Sequence, residues 1–473
     1  MSTSLEKKLS IHPELLQKIS SEQAFFYRIV PKEVENEVLV FWTDSDDTEN
    51  LGSELSIVLN HQIKLEYLPS EVLQDYLTAN YRQITQQEKS ELHYSPDFLE
   101  RLLANAKAIG SSDIHFEPYE EICRVRFRLD GKLMEQSTIP LKEYPLIINK
   151  IKIRSNLDIA EKRLPQDGRI SMNTDNSKFD IRVSSLPTHF GEKIVLRILN
   201  KDTQSVQLDD LGFNENELRT YLEAIKKPNG ILLISGPTGS GKTTTLYATL
   251  KLLNNAKTNI LTIEDPIEYT LQGVNQVQLK EHIGLDFSSA LRTFLRQDPD
   301  IIMVGEIRDA KTANMAIRAA LTGHLVLSTI HTNSAWATIS RLIDMGIPPF
   351  LVGNTLNISL AQRLVRVLCD SCKRVEGLEK ATFPNNYIPP KTLTRHFVPT
   401  GCQKCHHTGY KGRQAIYEII PITTSLIPMI KDNVHEIDDY LSKNQIHSLR
   451  DNAIRLVQQG TTSIEEIFPL LIN

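Results

Sequence analysis

The residues best suited to chemistry form a glycine-rich loop that follows a short apolar run. Residues 231–234 are apolar, and the pattern G-x-x-x-x-G-K-T begins at Gly236. In such a turn backbone N–H groups point at phosphate oxygens, Lys242 adds a positive charge near the β- and γ-phosphates, and Thr243 offers a hydroxyl to Mg²⁺. The helix expected from about Lys242 directs its positive end at the same anion. The predicted phosphate-binding residues are Gly236, Pro237, Thr238, Gly239, Ser240, Gly241, Lys242, Thr243 and Thr244.

Acidic side chains follow two further apolar runs, each typical of a buried strand. Glu264 ends one run, and Gly305 and Glu306 follow the other. Because the carboxyl ends of parallel strands meet at one edge of a sheet, we expect both carboxylates beside the phosphate-binding loop. There they can orient a water or hold Mg²⁺. For Glu306 the alternative is an ion pair with Arg308.

Four arginines can neutralise the charge that builds on the γ-phosphate during hydrolysis. Arg292 and Arg296 lie four residues apart in a helical stretch, so we expect them to share a helix face. Arg182 and Arg197 precede the nucleotide-binding part of the chain, and we expect them to reach a site only through an interface. An arginine supplied by a neighbouring subunit is an established device in phosphoryl transfer.

Two histidines flank the apolar run at 325–330. His324 and His331 are seven residues apart, so the alternation of a strand does not put both on one face, and we expect one at each end. A lone histidine is more often structural than catalytic. Phosphate sensing and a structural role therefore both stay open for each of them.

Four of the five cysteines form two Cys-x-x-Cys pairs, Cys369 with Cys372 and Cys402 with Cys405. Twenty-nine residues separate Cys372 from Cys402, a spacing that fits a closed tetrahedral Zn²⁺ site with a structural role. In a chain without an export signal such pairs indicate a metal before a disulfide. Reduced thiols without a ligand are the alternative.

Composition places the chain among ordinary globular proteins of several domains. It has 473 residues, 40% hydrophobic and 23% charged, with a formal net charge of −5. This balance provides no overall basic field to attract nucleic acid. The first residues lack the apolar stretch of a signal peptide, and no run of 18 apolar residues predicts a membrane span.

Apolar strands alternate with helical stretches in the second half of the chain, which predicts a mainly parallel sheet with its ligand site at the carboxyl ends of the strands. The preceding part shows shorter, alternating strands. A polar linker is expected at 83–91. The predicted divisions are a docking module at 1–88, a second domain at 95–202 and a nucleotide-binding domain at 212–473, which includes a zinc module at 365–413 and a helical region at 414–473.

These motifs together resemble the ATPases of type II secretion and type IV pilus assembly, the GspE/PilB-like family. The resemblance covers about residues 95–473. Besides the phosphate-binding loop, it rests on Ser112-Asp113-Ile114-His115-Phe116-Glu117-Pro118, Leu157-Asp158-Ile159-Ala160-Glu161-Lys162-Arg163-Leu164-Pro165-Gln166-Asp167-Gly168-Arg169, Glu264-Asp265-Pro266-Ile267-Glu268, Arg296-Gln297-Asp298-Pro299-Asp300, Gly305-Glu306-Ile307-Arg308-Asp309, Gly323-His324 and His331-Thr332-Asn333.

The resemblance implies an α/β protein: a RecA-like P-loop ATPase domain with a parallel-core sheet, preceded by a PAS-like α+β domain and a small N-terminal α/β module, with a four-cysteine zinc insertion. It implies ATP, Mg²⁺ and Zn²⁺ as cofactors and a cytoplasmic homohexamer, peripheral at the inner membrane. Its partners would be an inner-membrane platform protein and a docking protein bound through residues 1–88. Contact with the membrane would run through these partners, with no direct nucleic-acid binding.

The resemblance also assigns roles to single residues. Glu264 matches the glutamate that polarises the attacking water, and Glu306 matches the Walker B glutamate. The arginines that match the subunit interface are Arg182, Arg197, Arg292 and Arg296, and the histidine-box pair is His324 and His331.

Two other functions remain open. A ring-shaped nucleic-acid translocase or DNA-uptake ATPase would share the nucleotide-binding motifs, and the net charge of −5 argues mildly against it. A nucleotide-gated scaffold without useful hydrolysis would need a broken set of carboxylates, yet Glu264, Glu268 and Glu306 are all present.

Overall fold

The computed structural model describes residues 11, 13–16, 18–35, 38–59, 61–81, 90–174, 177–199, 206–378, 383–384, 387–390 and 392–472. The chain divides into two compact units. One comprises Met1–Ser90, Leu368–Tyr410 and Gly460–Asn473, and the other Glu91–Val367 and Lys411–Gln459. The linker predicted at 83–91 lies outside the described residues as far as residue 89, and the predicted domain boundaries stay predictions.

The N-terminal module has the α/β character expected from its sequence. A three-stranded sheet has the order β1-β2-β3, with β1 antiparallel and β3 parallel to the central strand. Its elements are α1 (Pro13–Leu16), α2 (Ser21–Phe26), β1 (Ile29–Glu35), β2 (Val38–Thr43), α3 (Thr48–Leu59), β3 (Ile63–Tyr67) and α4 (Ser70–Asn80).

A seven-stranded sheet follows, in the order β4-β7-β6-β5-β10-β9-β8. Its elements are β4 (Ser90–Glu91), α5 (Phe98–Ala108), β5 (Asp113–Pro118), β6 (Cys123–Leu129), β7 (Lys132–Ile139), α6 (Tyr144–Arg154), β8 (Gln166–Thr174), β9 (Ser177–Thr188) and β10 (Gly191–Leu199). Side chains along β6 alternate strictly between buried and half-buried positions. One face of the sheet therefore forms a core with apolar residues of α5 and α6, as the period-two pattern predicts.

The opposite face of this sheet carries a row of charged side chains. In the strand register Arg169 lies opposite Arg182, Arg182 opposite Arg197, Arg197 opposite Asp113, and Asp113 opposite Arg128. Because directly opposed residues share a face, these five side chains form one line across five strands. The line brings two of the predicted arginines, Arg182 and Arg197, next to each other.

The remainder of the chain holds a second seven-stranded sheet, in the order β13-β12-β14-β15-β11-β16-β19. Its elements, with the helices and the small β17–β18 pair that accompany them, are α7 (Glu215–Ile225), β11 (Gly230–Ser235), α8 (Lys242–Leu253), β12 (Ile260–Glu264), β13 (Asn275–Gln278), α9 (Phe287–Phe294), β14 (Ile301–Val304), α10 (Ala310–Leu321), β15 (Leu325–Ile330), α11 (Ala335–Asp344), α12 (Pro349–Thr355), β16 (Leu356–Leu368), β17 (Arg374–Gly377), β18 (Arg395–Val398), β19 (Tyr410–Pro421), α13 (Ile427–Lys431), α14 (Asp438–Lys443), α15 (Leu449–Gln458) and α16 (Ile464–Ile472).

All the strands from β13 to β16 in this order run parallel. Every residue of β11, β12, β14 and β15 is buried, which explains why these strands read as unbroken apolar runs. The predicted parallel core is confirmed. Its carboxyl edge therefore collects the segments that follow β11, β12, β14, β15 and β16.

None of the helices in the described part of the chain has both the length and the apolar character needed to cross a bilayer.

Candidate active site

The loop between β11 and α8 has the geometry of a phosphate cradle. Gly236, Gly239 and Gly241 all adopt positive φ, at 148°, 80° and 90°. These values turn the chain so that the N-terminus of α8 faces the loop. The predicted strand, glycine turn and helix start are all confirmed at this position.

Lys242 lies in this loop as a buried cation. Its Nζ donates to the carbonyl oxygens of Gly236 (2.8 Å) and Pro237 (3.0 Å), and no carboxylate of the described residues pairs with it. Burial lowers the pKa of Lys242, and attraction to Glu306 opposes this effect. The hydroxyl of Ser240 is also buried and has no hydrogen-bond partner among the described residues. A nucleotide phosphate chain can supply the anion that Lys242 lacks and accept a hydrogen bond from Ser240, so the loop fits such a ligand. Thr243 is exposed, and its hydroxyl can bind Mg²⁺.

Gly236 is the glycine whose replacement is expected to damage the loop most. A Cβ built on it lies 2.5 Å from the carbonyl oxygen of Gln362, which belongs to the backbone of β16. A Cβ on Gly239, also at positive φ, meets nothing within 4 Å. Gly236→Ala should therefore abolish detectable nucleotide binding, whereas Gly239→Ala should weaken it less than tenfold, because it adds only backbone strain. Titration with a fluorescent ADP analogue checks both, and equal affinities for the two variants would contradict the assignment.

Glu306 occupies the centre of the acidic side of the site. It follows β14 with a side chain only 16% exposed, close enough to Lys242 for their charges to attract. Arg308 forms an ion pair with one of its oxygens, and the His331 Nε2 lies 3.3 Å from the other. The alternative reading of Glu306 as a partner of Arg308 is thus observed, together with the predicted position beside the phosphate loop. The Glu306 oxygen near His331 can still accept a hydrogen bond from a water, or a proton, because the His331 side chain is half-exposed.

Glu264 is enclosed by side chains of its own chain. Its carboxylate is buried at 3% exposure, and it accepts hydrogen bonds from Tyr247 Oη, Thr262 Oγ1 (2.6 Å) and Gln276 Nε2 (3.1 Å). Burial raises the pKa of Tyr247, which keeps its hydroxyl as a donor. In this conformation the oxygens of Glu264 are held by these three donors and closed to solvent, so its role in orienting the attacking water stays a prediction. Glu264 here fixes the end of β12 against α8 and β13.

The two histidines lie at opposite ends of β15, as the sequence predicts, and only His331 lies at the phosphate edge. His324 precedes the strand, and its Nδ1 lies 2.8 Å from the carbonyl oxygen of Ala319. Six strand residues span about 20 Å. His324 thus holds the turn after α10 at the opposite edge of the sheet, which fits the structural role that the sequence left open, and its part in a phosphate-sensing pair stays a prediction.

Arg182 contacts another segment of its own chain, and its predicted role at an interface stays a prediction. Its Nη2 donates to the carbonyl oxygen of Ile267 (2.7 Å), and its Nη1 lies 3.4 Å from a carboxylate oxygen of Glu268. Both contacts are made with the segment that follows β12 of the same chain. Arg197, its cross-strand neighbour, pairs with Asp113 at 2.8 Å and keeps a 61% exposed side chain. In this conformation the Arg182 side chain contacts its own chain, whereas the Arg197 side chain is more exposed although it is paired with Asp113.

Arg296 lies near the amino edge of the sheet, and Arg292 precedes it by four residues on α9. α9 ends at Phe294, so Arg296 lies beyond the helix and does not share its face as predicted. Its Nη1 nevertheless donates to the Arg292 carbonyl oxygen at 3.2 Å. The next residues are bound by Asn259, which directly precedes β12. Both arginines are exposed.

The four cysteines come together as the spacing predicts. Their sulfurs all lie within 4.8 Å of one another, with Cys369–Cys402, Cys372–Cys405 and Cys402–Cys405 at 3.9, 3.8 and 3.7 Å. Four thiolates in a tetrahedron around zinc, with Zn–S near 2.3 Å, place their sulfurs about 3.8 Å apart. Backbone N–H groups of Cys402 and Gly409 also donate to the Cys405 sulfur. The donor set therefore fits Zn²⁺ in a closed, structural site.

Sequence reasoning missed two residues that border the phosphate loop, Gln362 and Arg363. They follow the part of β16 that lies beside β11, where Ser235 is opposite Ala361. Gln362 is buried and accepts a hydrogen bond from Thr245 Oγ1 at 2.9 Å, which fixes α8 against β16. Asn357 and Ser359 interrupt the apolar residues before Gln362, so the signal that identified Glu264 and Glu306 is absent here.

The chain matches the family described as "Type II/IV secretion system protein" over residues 88–469. It belongs to that family. It is 47% identical over 375 residues to the type IV pilus assembly ATPase PilB of Pseudomonas aeruginosa, an alignment that covers 78% of this chain and 66% of PilB. It is also 47% identical over 370 residues to the type II secretion system protein E of the same organism, with 77% and 73% of the two chains covered.

Among solved structures, the pilus retraction motor PilT with bound ADP is similar to this chain. The two share 25% identity with a TM-score of 0.52, covering 78% of this chain and 95% of PilT. This chain spans just under two thirds of the length of the PilB relatives that it matches. The family and the α/β P-loop fold expected from the sequence are thus confirmed.

Proposed function

We propose that this protein hydrolyses ATP to power pilin or pseudopilin assembly, or protein secretion, through an inner-membrane platform. The observation that carries the proposal is the pairing of a phosphate cradle, with its buried unpaired Lys242, and the carboxylate of Glu306 at one sheet edge. Family membership supports the client class, since relatives bear the names of pilus assembly and type II secretion proteins.

Each residue of the edge has a distinct task in this proposal. The backbone amides at 236–244 and Lys242 bind the phosphates, and Thr243 binds Mg²⁺, which would neutralise phosphate charge. Glu306 orients the attacking water and accepts its proton, while His331 holds the outer oxygen of Glu306. Glu264 keeps the neighbouring strand end in place.

The charge that develops on the γ-phosphate needs cations from outside this chain. Arg292 and Arg296 are exposed, and no contact joins them to the phosphate loop among the described residues. A second copy that presents these arginines would supply such cations, so we propose a homohexameric ring in which adjoining copies complete each site. Arg197 is a third candidate at such a junction.

The remaining parts of the proposal concern location and partners. We propose a cytoplasmic protein, peripheral at the inner membrane, that contacts the platform protein and binds a docking protein through residues 1–88. The four cysteines hold Zn²⁺ and stabilise the module between β16 and β19. The client, a pilus or a secretion pseudopilus, is left open, because relatives of both kinds match equally well.

The test is ATP turnover by the purified chain, measured alone, with double-stranded DNA and with acidic lipid vesicles. The proposal predicts Mg²⁺-dependent phosphate release that DNA leaves unchanged. Stimulation by DNA of tenfold or more would favour the nucleic-acid translocase. Binding of ATP without any turnover under all three conditions would favour the nucleotide-gated scaffold.

A further inference from the structure

Arg363 lies directly against the first residue of the phosphate loop. Its Nη1 is 3.3 Å from a Cβ built on Gly236. It follows the point where β16 runs beside the end of β11, with Ala361 opposite Ser235. The guanidinium therefore borders the space into which the loop amides open.

Arg363 is half-buried, and within the described ranges its hydrogen bonds go to main-chain carbonyl oxygens. Nη1 donates to the carbonyl of Gln362 (3.2 Å) and Nη2 to that of Asn333 (3.1 Å). No carboxylate of the described residues forms an ion pair with it. Burial lowers the pKa of Arg363. A partly desolvated cation that lacks an anionic partner is costly to the fold, and natural sites accept that cost where a ligand supplies the anion.

The carboxylate that attracts Arg363 is Glu418, and it is already engaged. Its Oε1 accepts the Ala335 amide at the start of α11 (2.7 Å), and its Oε2 accepts the Leu449 amide at the start of α15 (3.3 Å). Burial raises the pKa of Glu418. No ion pair joins Glu418 to Arg363 in the described part of the chain, because both oxygens of Glu418 accept backbone amides.

Arg363 and Lys242 also repel each other across the loop. Both cations donate to carbonyl oxygens, which are weaker partners than an oxyanion. The positive charges of Lys242 and Arg363 beside the loop can therefore both be neutralised by one ligand that carries several negative charges.

We propose that Arg363 binds the phosphate chain of the nucleotide through Nη1, while Nη2 stays on the Asn333 carbonyl. This inference rests on the proposed function, since it names a further ligand of the same triphosphate. Asn333 follows His331 by two residues. Binding of phosphate to Arg363 would therefore also affect the position of the segment at 331–333, in which His331 contacts Glu306.

The experiment compares Arg363→Gln and Arg363→Lys with Arg413→Gln, which removes the same charge from an exposed position on β19. Affinity for ADP and for a non-hydrolysable ATP analogue is measured by calorimetry with Mg²⁺. Glutamine can still donate to the Asn333 carbonyl but has no charge, so Arg363→Gln should bind both nucleotides about tenfold more weakly. Arg363→Lys should recover most of that loss, and Arg413→Gln should match the parent. Without nucleotide, Arg363→Gln should melt at or above the parent's temperature, because it removes an uncompensated charge.

Nucleotide affinity of Arg363→Gln equal to that of the parent would overturn the role of Arg363 alone. If that variant melts early without nucleotide, Arg363→Lys decides: a folded Lys variant that binds tenfold more weakly overturns the proposal, and one within threefold of the parent supports it. A parent chain that binds neither nucleotide contradicts the proposed function instead, so the two failures are distinguishable.

Discussion

Glu306→Gln is expected to lower ATP turnover by about 10² to 10⁴-fold, the usual range for removal of a general base, with nucleotide still bound. The carboxylate lies on the Lys242 side of the site and is only partly exposed. Glutamine has the same shape but accepts no proton, so binding is kept and chemistry is lost. Phosphate release and ADP affinity are measured on the same preparation.

The matched control is Glu223→Gln, because Glu223 is an exposed carboxylate on α7 outside the site. It should retain parental turnover. Glu264→Gln is informative as well, since its buried hydrogen bonds predict loss of stability before loss of a catalytic step. Turnover by Glu306→Gln within threefold of the parent would remove Glu306 from the mechanism.

Loss of a single cysteine of the zinc site is expected to have the largest effect on stability. Binding free energies of structural zinc are about 10–16 kcal/mol in small zinc domains, so Cys405→Ser should lose the metal and unfold the surrounding module. Cys405 is buried, and its sulfur accepts hydrogen bonds from two backbone N–H groups in addition to its contacts with the other sulfurs. Elemental analysis should find one zinc per chain in the parent and none in the variant.

Hydrogen exchange of the amides around Cys369 and Gly409 reports the unfolding directly. Cys123→Ala is the control, since Cys123 is a buried thiol on β6 that takes no part in the cluster. It should keep one zinc per chain. A parent chain that protects these amides fully after prolonged treatment with a chelator that has removed all zinc would show that the metal has no structural role.

Local patterns predicted the backbone of the site well. Strand, glycine turn and helix start follow one another within fifteen residues around Gly236, and the apolar runs before Glu264 and Glu306 are strands buried on both faces. Physical constraints on such short segments are strong, because few residue types fit a positive φ or a fully buried strand. The cysteine pairs were predictable for the same reason.

The direction of single side chains was not predictable, because partners come from distant elements. Glu264 is sealed by Tyr247 from α8 and Gln276 from β13, neither of which carries a signal for that contact. Arg182 reaches its own chain at Ile267, 85 residues away in sequence. The place of His324 before β15 was predictable, but its contact with the Ala319 carbonyl was not.

The central claim is that one copy's phosphate loop works with another copy's arginines, and mixing two inactive variants tests it most directly. Glu306→Gln lacks the base but keeps its arginines, whereas the double variant Arg292→Ala, Arg296→Ala lacks the arginines but keeps its base. In random mixed rings about a quarter of the junctions would combine two intact halves. Turnover of the mixture is therefore expected to rise to about a quarter of the parental rate. Verified mixed rings that stay as inactive as either variant alone, or an arginine double variant that is fully active by itself, would contradict it.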